Sequence, residues 1–457
     1  MVSPILTGTM PKVMRVVPRN RNIEGLLLFF VFGINAFELI QIQLSTLEIV
    51  RPDFWLYWAP LTLIALVVHG ILRRRASEAD SLILPIAVFL NGLGIAEIYR
   101  LDIAKVAAGA TDLFAVKQVV WTLVAIAACA VVVWFVPNQL FLRRYVFVAM
   151  ATGIVLLLLP MLPFIGLTIN GARLWIGIGP FTFQPGELAK IALIIFFAGY
   201  LVSRKDSLAV VGRTFFGIHI PRARELGPIL VIWVASLAVL VLQRDLGTSL
   251  LYFGLFLVMI YVATGRAIYV VVGLGMFVTG ALVASQVMDY VAGRFGAWLD
   301  AFNPERYDAV GGSYQLVQGL FGLAHGGLFG TGLGGGVPQL VPLAESDFII
   351  TSLGEELGLV GFFVILLCYL LLIQRGMRIA FKHQDDFSRL LAVGFSFVIA
   401  LQCFIVIGGV TRVVPLTGLT TPLLAAGGSS LLANWMIIGL LLRLSDSVAV
   451  KRGAADE

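Results

Sequence analysis

Twelve stretches of this chain are each apolar and long enough to cross a lipid bilayer, and that repetition constrains the fold more than any other feature. A helix rises about 1.5 Å per residue, so roughly 20 apolar residues cover the hydrocarbon core. The stretches lie near 24–43, 54–72, 82–99, 117–136, 145–165, 184–203, 226–243, 246–264, 267–289, 350–374, 389–411 and 420–442. A backbone inside lipid must satisfy its own hydrogen bonds, which favours helices over open sheets. Composition agrees. The 457 residues are 59% hydrophobic and 13% charged, with a mean hydropathy of +0.97, whereas soluble domains carry about 25% charged residues. The sequence therefore predicts an all-α polytopic membrane protein of about 12 transmembrane helices.

Orientation follows from the loops. If the N-terminus is cytoplasmic, most of the 32 Lys and Arg residues fall in inner segments, as the positive-inside rule requires. Arg73, Arg74 and Arg75, and Arg375, Arg378 and Lys382, mark two of those segments. The bias puts both termini inside, with cytoplasmic tails at 1–22 and 446–457. The net charge of +6 then reflects loops facing anionic headgroups rather than nucleic acid. Cys129, Cys368 and Cys403 all lie in apolar segments, which suits neither a disulfide framework nor a metal site. A full-length span follows the basic N-terminal segment, so no cleavable signal peptide is expected. The four histidines are scattered, without His-x-x-x-His or Cys-x-x-Cys spacing, and there is no Walker loop.

The longest connection, 290–348, faces outward. Between Gly311 and Gly336 it is dense in glycine, yet it keeps Tyr314, Leu316, Val317, Leu320, Phe321, Leu323 and Leu328. Glycine permits tight turns and close backbone approach, and the apolar residues predict short helical or re-entrant pieces on the outer leaflet.

Ionisable groups within spans are costly and point to function. Glu187 and Lys190, three apart, share one helix face about one turn inside the outer boundary. They form either a structural ion pair or a site in which Lys190 meets an anionic ligand and Glu187 orients it. Asp245, at the outer join of two spans, reads equally as a helix cap or a functional carboxylate. Glu355 and Glu356 fit the positive end of a helix. Asp347, just before that helix and beside the glycine-rich loop, is the better candidate for chemistry, since partial desolvation raises a carboxylate toward a working base. Arg173 and Trp175 lie in an outer loop that re-enters near Glu187. Trp175 alone would read as an interfacial anchor. Gly427-Gly428-Ser429-Ser430 reads as close helix packing or as ligand contact.

Every unusual polar group falls on the outer half, away from cytoplasmic nucleotide-sugars and ATP. An enzyme there needs a substrate activated within the membrane, and a lipid-linked diphosphate fits. A transporter would place its ionisable groups near the midplane. A scaffold would leave Glu187, Lys190 and the glycine-rich loop unexplained.

The motifs themselves resemble the SEDS family (shape, elongation, division and sporulation). They are Gly171-Ala172-Arg173-Leu174-Trp175-Ile176, Phe183-Gln184-Pro185-Gly186-Glu187-Leu188-Ala189-Lys190, Asp245-Leu246-Gly247-Thr248, Tyr314-Gln315 with the glycines after it, Ser346-Asp347-Phe348-Ile349, Gly354-Glu355-Glu356-Leu357-Gly358, Pro415-Leu416-Thr417-Gly418 and Gly427-Gly428-Ser429-Ser430. They occur in family order over roughly 145–445. The resemblance implies a peptidoglycan glycosyltransferase of the bacterial cytoplasmic membrane that polymerises lipid II on the outer face, on the elongation rather than the division branch. It implies Asp347 as base, and Arg173, Trp175, Glu187 and Lys190 as substrate or diphosphate ligands. Asp245, Gln315, Glu355, Ser429 and Ser430 take supporting places. It further implies undecaprenyl-linked glycan as co-substrate, a class B penicillin-binding protein transpeptidase and the elongation machinery as partners, and allows a divalent cation, Mg or Mn, at the diphosphate. A lipid II flippase, or a role on the division branch of the family, is the competing reading.

Two departures stand out. The family has ten spans, so 23–144 holds an extra helix pair before the catalytic core at 145–445. Gly186 stands where the family has Ser, and Ala425-Ala426 where it has Ser-Tyr.

Overall fold

The computed structural model describes residues 19–456 except 137, 170, 180, 210–213, 216–217, 220–229, 232–233, 236, 240 and 310. Among the described residues, 11 helices are long and apolar enough to cross a membrane. They are α1 (Arg19–Leu47), α2 (Phe54–Arg75), α3 (Ile83–Ala107), α4 (Ala115–Phe135), α5 (Val146–Leu158, lengthened by 3-10 turns at both ends), α6 (Pro185–Ala209), α7 (Leu246–Thr264) and α8 (Ala267–Val287). Within the long loop come short helical pieces, as its apolar residues predict: the two longest are α9 (Asp289–Leu299) and α10 (Tyr314–Gly326), with single turns at Pro304–Tyr307 and Pro338–Leu340. The last three spans are α11 (Ile349–Lys382), α12 (Asp386–Val410) and α13 (Gly428–Asp456). Within the expected span at 226–243, residues 226–229, 232–233, 236 and 240 lie outside the described residues, as does most of the N-terminal tail.

The connections gather at two ends of the bundle. At one end, Arg21 bonds Glu24 and the Ala79 carbonyl, Arg443 donates to the carbonyls of Val136 (2.7 Å) and Arg75 (2.5 Å), and Lys205 pairs with Asp386 (2.7 Å). At the other, the Gln184 N–H donates to Ser429 (2.8 Å), the Ala426 N–H to the Glu345 carbonyl (2.8 Å) and Arg294 to the Leu416 carbonyl (3.1 Å). These are the sets that alternating spans separate. Lys205, near the end of α6, lies beside Asp386, while Asp245 faces Glu187 at the start of α6.

Helix α3 is the centre of the bundle and is almost wholly buried, whereas α5 and α8 keep most of their surface outward. Small residues in α3 let its neighbours approach closely. A Cβ at Gly94 would overlap the Leu424 carbonyl, and one at Gly92 the Asn35 side chain. Its buried amide is satisfied: Asn91 donates to Thr122 (3.3 Å) and accepts from the Trp435 indole (3.0 Å), as a buried polar group in lipid must.

The all-α expectation needs correction at two places. After α6, Thr214–Phe215 pairs antiparallel with Ile218–His219. The segment before α6 is a three-stranded antiparallel sheet of β1 (Gly166–Ile169), β2 (Ala172–Ile178) and β3 (Phe181–Phe183), with Trp175 opposite Leu167 and Ile176 opposite Phe183. Its β-branched and aromatic residues favour strands. Gly171, at φ +78°, supplies the left-handed residue that a tight hairpin needs.

The glycine-rich loop folds back onto α11, which breaks at Gly358 (φ +67°). The N–H groups of Leu359 and Val360 donate to the carbonyls of Gly327 (3.0 Å) and Leu328 (3.1 Å), while Thr331 and Gly332 donate to the carbonyls of Glu355 and Glu356 (both 3.0 Å). The loop thus satisfies the backbone groups that the break exposes. Gly330 (φ +82°) lies so close that a Cβ would overlap the Glu356 carbonyl, whereas Gly311 (φ +71°) faces open space. Gly311→Ala is therefore expected to cost about 1–2 kcal/mol, the left-handed penalty alone. Gly330→Ala adds backbone displacement, for roughly 2–5 kcal/mol in total. Thermal unfolding of the two purified variants measures the difference, and equal midpoints would contradict this packing.

Candidate functional site

The end of the bundle that carries the long loop brings most of the sequence-selected residues into one neighbourhood, at two depths. The deeper layer is built on α6. Pro185 opens the helix, and the Gln184 N–H just before it is held by the Ser429 hydroxyl. Glu187 and Lys190 pair at 2.6 Å, and both are buried. Lys190 also donates to Gln402 on α12 (3.1 Å), and Gln402 in turn donates to the Thr420 carbonyl (2.8 Å). The lysine therefore links three elements. The Tyr252 hydroxyl donates to the Gly186 carbonyl (2.8 Å), and a Cβ at Gly186 would meet that hydroxyl only at ordinary contact distance.

Asp245 caps α7, accepting from the Thr248 N–H at 2.9 Å. Its other carboxylate oxygen is buried with no hydrogen-bond partner. Burial, with Glu187 adding to it, holds the Asp245 carboxyl above the usual carboxylate range despite the bonds from Thr248 and Gly247. The cap and the unpaired oxygen are thus features of the same side chain.

The shallower layer is the end of the long loop. Asp347 stands just before α11 and accepts from the Ser346 hydroxyl (2.8 Å). Burial pushes its carboxyl up; the Ser346 hydroxyl and the Arg294 guanidinium on α9 partly offset this, and Glu345 adds to it. Arg294 donates to the Leu416 carbonyl (3.1 Å) and lies close enough to Tyr290 and Asp347 to act on both. Tyr290 also feels Asp245 and Arg244, so it bridges the two layers.

Other expected residues take supporting positions. Gln315 donates to the Pro342 carbonyl (2.7 Å), fastening α10 to the segment before Asp347. Glu355 meets His325 (2.9 Å) and the Val337 N–H (2.9 Å), so it holds the glycine-rich loop; it and Glu356 lie beyond the first turn of α11, which corrects their expected place at the positive end of a helix. Ser430 accepts from Asn434 one turn later (3.2 Å), and a Cβ at Gly428 would overlap the Trp121 ring, so this motif packs helices and anchors α6. Arg173 stays within its sheet region, donating to the Leu162 carbonyl (3.2 Å), with its Nε buried and unpartnered. Trp175 sits on the same strand, half-buried.

Sequence reasoning missed three contributors. Arg294, in the long loop, belongs to none of the motifs. Arg100 binds Glu356 (2.6 Å), the Gly336 carbonyl (2.5 Å) and Gln339 (3.1 Å), clamping the loop to α3. Lys105 binds Glu345 (2.7 Å). Each lies in or next to an apolar run, where a charge is itself the signal, but its partner is far away in sequence.

Among the described residues, no three His, Cys, Asp or Glu side chains converge into a metal cage.

Comparison with known proteins gives a consistent picture. Residues 80–449 match the FtsW/RodA/SpoVE cell cycle protein family, so the match starts just before α3 and leaves α1 and α2 outside it. The chain is 44% identical to the peptidoglycan glycosyltransferase RodA of Mycobacterium tuberculosis strain H37Rv, over 94% of this chain and 91% of that protein. It is 41% identical to that of Mycobacterium leprae (98% and 94%), and 33% identical to a probable peptidoglycan glycosyltransferase FtsW of a Geobacter species (84% and 100%). Among solved structures, its fold resembles a chain from a peptidoglycan synthase complex that coordinates polymerisation and crosslinking, with a TM-score of 0.63 at 24% identity over 81% of this chain and 98% of that one. It also resembles the rod shape determining protein RodA of Thermus thermophilus, with a TM-score of 0.54 at 23% identity over 80% and 96%.

Proposed function

The chain belongs to the FtsW/RodA/SpoVE family of cell cycle proteins, and from that premise we infer that it is a peptidoglycan glycosyltransferase, a multi-pass membrane enzyme that polymerises lipid II for cell elongation. The observation that carries the mechanism is Asp347: a desolvated carboxylate beside Arg294, at the end of the bundle where Glu187, Lys190 and Asp245 also gather. The positive-inside bias assigns that end to the outer face of the cytoplasmic membrane.

The reaction is a single displacement. The Asp347 carboxylate takes the proton of the 4-hydroxyl on the incoming GlcNAc. That oxygen forms a bond to the anomeric carbon of the MurNAc on the lipid-linked chain, the bond to the diphosphate breaks, and the linkage inverts from α to β. Burial suits Asp347 to this role, because a base works best when its pKa approaches the working pH. Negative charge grows on the departing undecaprenyl diphosphate, and fixed cations stabilise it. Arg294 and Arg173 supply charge at the mouth, Lys190 with Glu187 forms a fixed floor beneath, and Trp175 offers an aromatic face to a sugar. Any divalent cation, Mg or Mn, arrives with the diphosphate, and no step above depends on it. A class B penicillin-binding protein transpeptidase and the elongation machinery are the proposed partners.

The test supplies the purified full chain, with its cognate transpeptidase, with lipid II in proteoliposomes. Glycan strands digestible by a muramidase are the expected product. Lipid II moved between leaflets without polymer would instead identify a flippase.

A further inference from the structure

The segment that carries Asp347 is clasped two residues earlier. Glu345 is buried, its carboxylate pairs with Lys105 of α3 at 2.7 Å, and its carbonyl accepts the Ala426 N–H at 2.8 Å. Lys105 in turn lies over the Phe114 ring (4.4 Å), which restricts where its ammonium can go. Phe114 also borders Lys117 (5.4 Å), but Lys117 pairs with Asp112. A buried carboxylate held by one cation, immediately beside the proposed base, is an expensive arrangement unless its position matters.

Building on the proposed function, we propose that Lys105 and Glu345 are positioning residues for Asp347: their ion pair holds the loop end in place and sets the charge that the base faces. The charged groups around this assembly are few and named. Asp347 faces Arg294 from α9 and Glu345 from its own segment. The Lys105–Glu345 pair faces Asp102 of α3, whose carboxylate is occupied in capping α4 through the N–H groups of Phe114 and Ala115.

The sign of each perturbation follows. Asp347 must be ionised to act, so activity falls as pH drops through its pKa. Lys105→Gln exposes Asp347 to an unneutralised Glu345, which disfavours a second negative charge and moves the acid limb to higher pH. Glu345→Gln removes that negative charge and leaves Lys105, which moves the limb to lower pH. Shifts of about half a pH unit or more are expected from charges at this separation. Lys105→Arg keeps the charge and returns the limb toward wild type.

The experiment is the acid limb of kcat/KM for lipid II polymerisation by wild type, Lys105→Gln, Glu345→Gln, Lys105→Arg and Asp347→Asn, each full-length with the cognate transpeptidase. A limb midpoint does not depend on the fraction of folded enzyme, so partial misfolding does not imitate the result. Opposite shifts in Lys105→Gln and Glu345→Gln support the proposal. Unchanged midpoints, or shifts in one direction, with Asp347→Asn inactive, overturn it while leaving Asp347 as base. Undiminished polymerisation by Asp347→Asn overturns the underlying mechanism instead.

Discussion

Replacing Lys190 with methionine is expected to lower the stability of the purified protein by about 3–5 kcal/mol, because it leaves the Glu187 carboxylate buried without its cation. The bond to Gln402 is lost as well, which frees α12 and the Thr420 segment from α6. Thermal unfolding in detergent reads the loss directly. The double variant Glu187→Gln/Lys190→Met separates the two meanings of the pair. Without a buried charge to strand, it is expected to recover most of the lost stability. If Lys190 contributes to holding the diphosphate, the double variant stays defective in polymerisation. If it polymerises normally, the pair serves only to pin α6 in place.

The bundle was legible in the sequence because hydropathy reports a solvent, and lipid imposes one structural answer on each long apolar run. The two ends of the bundle were legible for a related reason, since Lys and Arg mark one side. The sheet at β1–β3 was overlooked although Asn170-Gly171, flanked by Leu167-Thr168-Ile169 and Leu174-Trp175-Ile176, is a strong short-range hairpin signal. Glycines 177 and 179 drew attention to a tight re-entry instead. Outside a helix of membrane length, local turn chemistry decides the structure.

The candidate site divides in the same way. Glu187, Lys190, Asp245 and Asp347 stood out because each is a charge where lipid or a helix end makes charge costly. What they face could not be read. Lys105 and Glu345 are 240 residues apart, and Arg100 and Glu356 are 256 apart. No local pattern links such residues; only the packing of α3 against the loop and α11 does. Glu355 and Glu356 illustrate the limit. A helix start would explain acids there, but they lie beyond the first turn of α11, and their contacts show them fastening the glycine-rich loop.

The helices α1 and α2 precede the family match, yet they touch the core at both ends. The Ser45 hydroxyl donates to the Leu333 carbonyl (2.6 Å) in the glycine-rich loop, and Gln43 donates to the Tyr99 hydroxyl (2.9 Å) on α3. Arg21 reaches the Ala79 carbonyl at the opposite end. The pair is thus built into the wall that supports the loop rather than appended to it.

Asp347→Asn is expected to reduce lipid II polymerisation by about 10²–10⁴-fold, the usual contribution of a positioned general base. The substitution keeps the shape of the side chain and its bond to the Ser346 hydroxyl while removing the proton acceptor. It also relieves a buried carboxylate of its desolvation cost, so the protein should unfold no earlier than wild type. The decisive measurement compares polymer formed by wild type and Asp347→Asn in the same proteoliposomes, with folding and transpeptidase binding verified for both. A stable, partner-bound Asp347→Asn that forms no strands is the result predicted here. Strands formed at the wild-type rate would contradict it and move the proton acceptor elsewhere in the outer cluster.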